Sequence, residues 1–260
     1  MFEDMPQTTD AVRKRIQFIY AEIEDRLAGI NDRAGIHILD IGCGSGQFIT
    51  IPIGVLGASI IGIDTHLPSV ELARTINRYS NVHFECMSVD ELHGRTFDFV
   101  ICSEVLEHLN EPGRMVNDIN RLLKSNGIAI ITIPNGYGPK ETEGRLYKVL
   151  EYTGLVTLLK RSNKAKGMLY KTGSGAGGFR DTLNEESPHI QFFTLRRFHK
   201  MLHENGLSVR KRVHRRFLSG PFSDIVLSRS KELIEWNARV ADRLPYFLVS
   251  SWMFVVEHAR

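Results

Sequence analysis

Cross-linking chemistry is nearly absent from this sequence: 260 residues hold three cysteines, Cys43, Cys86 and Cys102, and no CxxC pair. An odd, scattered set builds no disulfide framework, which suits a reducing compartment. Long hydrophobic runs are also missing. The longest uncharged stretch, 41–63, contains six glycines and Pro52, which excludes a spanning helix there. The first twenty residues mix Glu3, Asp4 and Asp10 with Arg13, Lys14 and Arg15, so no secretory signal is read. The expectation is a cytoplasmic protein. What is present is ordinary: 42% hydrophobic and 24% charged residues, which exclude disorder, collagen and coiled coil. A chain of this length forms one large domain that buries roughly 70–75% of its unfolded surface.

One sign of charge is scarce in each half. Residues 1–139 hold 11 Lys and Arg against 18 Asp and Glu, a net of −7, whereas residues 140–260 hold 22 against 12, a net of +10. The overall +3 is a cancellation, and such an asymmetry marks two different jobs.

Val12, Ile16, Ile19, Ile23 and Leu27 follow steps of three and four, the stripe of an amphipathic helix with Thr8 or Thr9 as cap. Short apolar runs then alternate with helical ones. Strands are predicted over 36–41, 59–63, 82–87, 97–102 and 128–133, with helices over 47–56, 69–79 and 112–124. Such alternation means parallel crossover units and a doubly wound sheet. After Pro134 it lapses for about fifty residues, too long for a structureless loop in a compact domain, so the insert is expected to be a lid with helices of its own. It resumes as a helix over 194–205, a strand over 207–217, a helix over 230–243 and a strand over 252–256.

The densest chemical signal is Leu39-Asp-Ile-Gly-Cys-Gly-Ser-Gly46, directly after the first predicted strand. Glycines at 42, 44 and 46 let the backbone turn sharply and approach a ligand closely. The spacing is not the Gly-x-Gly-x-x-Gly of dinucleotide sites. Asp40 offers a carboxylate to a cation, and Asp64, ending the second strand, stands where an acid accepts both ribose hydroxyls. A ribose plus a positive group, without a pyrophosphate, points to S-adenosylmethionine.

Together with Gly62-Ile-Asp64, Phe97-Asp-Phe-Val-Ile-Cys-Ser-Glu-Val-Leu-Glu-His-Leu109 and Leu123-Lys-Ser-Asn-Gly-Ile-Ala-Ile-Ile131 of the fifth strand, this segment resembles the ordered motifs of the class I S-adenosylmethionine-dependent methyltransferases. The resemblance runs from about Gly35 and is strongest over 36–135. It implies a Rossmann-like α/β fold: a doubly wound seven-stranded sheet, mostly parallel, with an antiparallel last strand and a lid inserted after strand five. The organisation read from it is an N-terminal helical segment, 1–34, and one domain, 35–260, with 135–190 as the lid. It further implies S-adenosylmethionine as cofactor. Asp40, Gly42, Gly44 and Gly46 would hold the methionine portion, Asp64 the ribose, Ser88 and Val89 the adenine, and backbone near Ser103 the amino group. Many members carry aspartate where this chain has Ser88, which puts the usual adenine amine contact in question and leaves Asp90 as one candidate substitute.

The Asn/Asp-Pro-Pro-Tyr element of amino-methylating DNA enzymes and the Pro-Cys nucleophile of cytosine enzymes are both absent. Ile133-Pro-Asn-Gly, the insert and His189-Ile-Gln-Phe-Phe-Thr-Leu195 are similar to the ubiquinone-pathway O-methyltransferases. They are similar too to the type 11/12 small-molecule methyltransferases found with glycan and lipid biosynthesis, as is 241–252. O-methylation of a small or lipid-linked metabolite is the reaction implied.

Glu104, Glu107 and His108 lie at i, i+3 and i+4, on one face of a helix predicted after strand four, at the sheet edge where such folds bind ligands. Three readings stay open. His108 is a general base for the acceptor hydroxyl, with His189 as a second candidate. Or Glu104, Glu107, His108 and His189 hold a divalent metal as Lewis acid, an arrangement resembling the small-RNA 3′-terminal 2′-O-methyltransferases; no metal is favoured. Or Glu104 orients the cofactor pocket while its neighbours serve packing.

Arg210-Lys-Arg-Val-His-Arg-Arg216 puts five cations in seven residues, and Lys160, Arg161, Lys164, Lys166 and Lys171 follow the apolar 155–159. An edge strand accounts for much of this. Beyond that, the basic half suits an anionic or lipid-linked acceptor and peripheral contact with an anionic membrane. No aromatic residues interleave the charges and no RNA- or DNA-binding module is recognised, which argues against nucleic acid. The alternatives kept are a metal-assisted RNA 2′-O-methyltransferase and a non-catalytic S-adenosylmethionine-binding protein.

Overall fold

The structure, a computed structural model, describes residues 10–154, 189–220, 222–227 and 230–259. The lysine-rich part of the insert lies outside them, as do Thr8 and Thr9. The strands are β1 (His37–Ile41), β2 (Ser59–Asp64), β3 (Val82–Cys86), β4 (Phe97–Ser103), β5 (Leu123–Pro134), β6 (Leu207–His214) and β7 (Ser251–His258). They form one seven-stranded sheet in the order β3-β2-β1-β4-β5-β7-β6. β1 to β5 pair in parallel, while β7 runs antiparallel to both β5 and β6. The expected fold is therefore the observed one.

Alternation along the strands explains the two layers. Leu39, Val100, Ile131 and Phe254 face one apolar cluster; Ile38, Ile101, Ile130 and Val255 face the other. Side chains of a strand point alternately to opposite faces, so a sheet covered on both faces must be apolar at nearly every position. The first cluster is closed by α3 (Pro112–Leu122) and α5 (Leu195–Glu204), through Val116, Ile119, Phe198 and Leu202. The second is closed by α1 (Asp10–Leu27) and α2 (Leu67–Ile76). Ile16, Ile19, Ile23 and Leu27 of α1 are fully buried there, so this helix belongs to the same core as the sheet. In the insert, α4 (Pro139–Tyr152) leaves the carboxyl end of β5 and buries none of its residues. Near the carboxyl terminus α6 (Ser223–Leu227) and α7 (Lys231–Ala241) precede β7.

Two predicted helices are not α-helices. The stretch 47–56 is a series of turns ending in a 3₁₀ segment, Pro52–Leu56. Pro52 has no amide to donate, and the β-branched run around it favours no helix. The face expected of Glu104, Glu107 and His108 is also broken. Glu104 stands alone among the described non-glycine residues at positive φ, 59°, and only Leu106–His108 follow as a 3₁₀ turn. Glu104 consequently turns away from Glu107 and His108.

Candidate functional site

The sheet order reverses between β1 and β4, and in open α/β sheets the crevice at such a point takes the ligand. The glycine loop rises there from β1. Gly42, Gly44 and Gly46 have φ of 68°, 54° and 70°, and a Cβ on Gly46 would stand 2.4 Å from the Phe84 ring. Only glycine takes that path cheaply. The loop is tied to β2: Gly42 and Cys43 donate to the carbonyl of Ile63 at 2.8 and 3.0 Å. Gly44 N–H donates to Asp64 Oδ2 and His66 N–H to Asp64 Oδ1, both at 2.8 Å. Asp64 thus fixes the loop and, with two lone pairs per oxygen, retains acceptor capacity.

Asp40 lies beneath the loop, 2% exposed, and accepts from Thr50 Oγ1 at 2.6 Å. Burial pushes its carboxyl up to about 7, and the Thr50 hydroxyl and the charge of Arg15 only partly oppose this. At the end of β3, Ser88 N–H donates to Glu91 Oε1 at 2.7 Å and opens a 3₁₀ turn, while the Val89 side chain is buried in the core. Asp90, the candidate substitute for the missing aspartate, is exposed and pairs with Arg114 of α3 at 2.9 Å. The turn sends alternate side chains apart, and this one faces the surface.

Across the crevice, the carboxyl ends of β4 and β5 carry the polar groups. Ser103 Oγ and Thr132 Oγ1 are 2.9 Å apart, and Thr132 donates to Glu104 Oε1 at 2.9 Å. Arg215, buried at 5% exposure, reaches Glu104 Oε2 at 3.4 Å. Burial alone would raise Glu104, but Arg215, then Arg15 and Lys140, outweigh it and hold its carboxyl at about 2. Glu107 behaves oppositely. It is fully buried and neither carboxylate oxygen has a hydrogen-bond partner, so burial and the charge of Glu104 push it well above the usual range.

His108 meets His189, which arrives from the far side of the insert, with ring centroids 5.0 Å apart in an edge-on arrangement. The backbone brings them together: Ile190 and Gln191 N–H both donate to the carbonyl of Glu107, at 2.9 and 3.0 Å. Glu141 of α4 approaches His189 Nδ1 at 3.4 Å. One ligand atom from each of Glu107, His108 and His189 falls within 4.8 Å of the others. Glu104 is not in this group, which corrects the expected set of four, because its oxygens are turned to Thr132 and Arg215.

Sequence reasoning missed Arg15, Arg215, Lys140 and Glu141. Arg215 was hidden in a run that reads as a solvated edge. Its neighbours in that run do serve the surface: Lys211 pairs with Glu22, and Arg212 lies over the Tyr246 ring. Arg15 is 3% exposed on the buried side of α1, and an arginine beside Ile16 and Ile19 is the one signal that could have shown it.

Comparison with known proteins agrees with this geometry. A family model described as a methyltransferase domain matches residues 12–212. A ubiquinone biosynthesis O-methyltransferase of Bradyrhizobium diazoefficiens is 31% identical over 117 residues, 44% of this chain and 46% of that protein. One from Rickettsia canadensis is 27% identical over 184 residues, 60% of this chain and 74% of the relative. The chain spans about half the length of several curated relatives it matches. Among solved structures, magnesium protoporphyrin IX methyltransferase from Synechocystis PCC 6803, with bound S-adenosylhomocysteine, superposes with a TM-score of 0.54 at 16% identity, covering 99% of this chain and 91% of that one. At that identity the likeness is one of fold. With a family model over most of its length, a seven-stranded sheet of the same build and a glycine loop tied to Asp64, the chain belongs to the class I S-adenosylmethionine-dependent methyltransferases.

Proposed function

We propose that the protein transfers a methyl group from S-adenosylmethionine to a hydroxyl oxygen of a small or lipid-linked acceptor. One observation carries the reading: the glycine loop, tied to Asp64, leaves the carboxyl end of β1, and His108, in contact with His189, follows the carboxyl end of the neighbouring β4 across the switch point. Asp64 would take the ribose, and Asp40 with the loop the methionine end. The charge of Arg15 reaches Asp40, Glu104 and Glu107, and this buried mixed-charge set suits a zwitterionic amino-acid tail next to a sulfonium.

In the reaction the acceptor oxygen attacks the methyl carbon in line as the S–C bond breaks. The sulfonium becomes a neutral thioether, and the hydroxyl proton passes to an imidazole. Positive charge leaves the sulfur, so alignment and exclusion of water supply the rate more than an oxyanion site does. His108 is the proposed base, His189 the second candidate, and Glu141 orients His189. A lipid-linked acceptor entails contact with an anionic membrane surface. Exposed Leu146, Val149 and Tyr152 along α4, with Lys148 among them, support that contact. No helix among the described residues is long and apolar enough to cross a membrane.

A second reading has its own observation. Glu107 is a buried carboxylate without a partner beside two imidazoles, a donor set that fits a divalent metal. A metal held by Glu107, His108 and His189 would lower the pKa of the acceptor hydroxyl. Chelator-sensitive turnover restored by added divalent ion selects this reading; indifference to chelator selects the imidazole base.

The test is incubation of the protein with methyl-labelled cofactor and extracts of metabolites, lipids and RNA. Label on oxygen of a small molecule or lipid is expected. Label in RNA alone, or cofactor binding with no transfer to any extract, overturns the proposal in favour of an RNA enzyme or a non-catalytic binder.

A further inference from the structure

Arg145 of α4 is held in an unusual way. Its guanidinium carbon lies 5.5 Å from the centroid of the Tyr137 ring and 5.4 Å from that of Phe192. The two rings come from different segments, and the loop after β5 joins them. Gly136 N–H donates to the carbonyl of Phe193 at 3.0 Å, and a Cβ on Gly136 would stand 2.7 Å from the Phe192 backbone. Asn135 Nδ2 donates to the carbonyls of Phe247 and Val249 at 3.2 and 2.8 Å, which fixes the loop from behind. Two aromatic faces therefore set where the guanidinium sits, through a cation–π contact with each.

What the guanidinium lacks is an anion in contact with it among the described residues. Among the described residues it donates once, from Nη2 to the carbonyl of Gly136 at 3.4 Å, out of five N–H groups, and no carboxylate forms an ion pair with it. Arg145 is exposed, so its remaining donors are open to a ligand. It lies one helical turn beyond Glu141, the residue that meets His189, and its charge helps hold the Glu141 carboxyl below its ordinary value, after His189 and Lys140. Residues four apart on a helix are about 5–6 Å apart at Cβ. A planar fork with free donors, one turn beyond the glutamate that meets His189, matches a carboxylate or phosphate.

We infer that Arg145 is the oxyanion anchor of the acceptor pocket, so that the acceptor carries a carboxylate or phosphate on the same molecule as the hydroxyl that is methylated. This rests on the methyltransferase reading above and narrows its substrate class. The test uses the full chain loaded with S-adenosylhomocysteine and four probes: 4-hydroxybenzoate against 4-hydroxybenzamide, and phenyl phosphate against phenol, with affinities from ligand-observed NMR titration. Wild type is expected to prefer at least one anion over its neutral counterpart by about tenfold or more, and whichever anion it prefers names the oxyanion. Arg145→Gln is expected to abolish that preference while leaving S-adenosylhomocysteine affinity and the neutral probes unchanged; Arg145→Lys is expected to keep part of it. No preference in wild type, or equal weakening of charged and neutral probes in Arg145→Gln, overturns the inference. Failure of the wild type to bind S-adenosylhomocysteine overturns the underlying reading instead, and the two failures are distinct.

Discussion

The two walls of the crevice are built by different means. The wall proposed for the cofactor is backbone: a glycine loop, the ends of β1 and β2, and a carboxylate, Asp64, that hydrogen-bonds two main-chain amides. Its parts lie within 27 residues of one another, from Asp40 to His66. The acceptor wall is made of side chains from 104–108, 132, 137–145, 189–192 and 215, which only the finished fold brings together. Damage to the first wall should weaken cofactor binding, and damage to the second should slow transfer while sparing it.

The largest effect is expected on the acceptor side. His108→Ala should lower the rate of methyl transfer by roughly 10²–10⁴-fold, the range of a lost general base, with cofactor affinity within about twofold of wild type. Unchanged turnover would remove His108 from the chemistry. Next comes Asp64→Ala, which leaves the amides of Gly44 and His66 without their acceptor and, on the proposed assignment, the ribose without its partner. Each hydrogen bond to a charged group is worth about 1.5–3 kcal/mol, so calorimetry should find binding roughly 10- to 100-fold weaker. Retained affinity would break the assignment of that wall.

Gly46→Ala combines a φ of 70° with a Cβ 2.4 Å from the Phe84 ring. It should cost about 1–3 kcal/mol and lower the melting temperature by roughly 3–10 °C, measured by calorimetric scanning. A stable variant with normal binding would show that the loop relaxes.

Asp40 gives opposite signs for folding and for binding. Its carboxyl is raised from 3.8 to about 7 in the cofactor-free protein. Its contribution to folding stability is therefore complete below the unfolded value, near pH 4, and is lost as pH rises through about 7. A positively charged cofactor favours the ionised form, so affinity for S-adenosylmethionine should rise from pH 6 to pH 8. Asp40→Asn should flatten that slope, and the same slope in both proteins would exclude Asp40 as its source. The smallest effect belongs to Arg114→Ala. The Asp90–Arg114 pair is more than half exposed, worth at most about 1 kcal/mol, and cofactor affinity should not move. A clear loss of affinity would return Asp90 to the adenine site.

The same division explains what could be read from the amino acids. The seven strands and the parallel run of the first five followed from apolar runs and spacing, because alternating burial leaves a periodic trace, whereas the antiparallel last strand followed from the family resemblance. The glycine loop and Asp64 were legible because their partners are close in sequence. The face of Glu104, Glu107 and His108 was misread, since a helical period was assumed where Glu104 turns to positive φ and reaches Thr132 and Arg215 instead. Nothing in a local pattern shows that Arg215, in a surface-like basic run, is buried against Glu104. The same holds for Arg145, which becomes distinctive only when Tyr137 and Phe192 close on it.

Titration of the full chain with S-adenosylhomocysteine, beside its Asp64→Ala and His108→Ala variants, tests the two-wall account most directly. Saturable one-to-one binding is expected for wild type, at least tenfold weaker binding for Asp64→Ala, and binding within about twofold of wild type for His108→Ala. No binding by wild type, or equal loss in both variants, would contradict it.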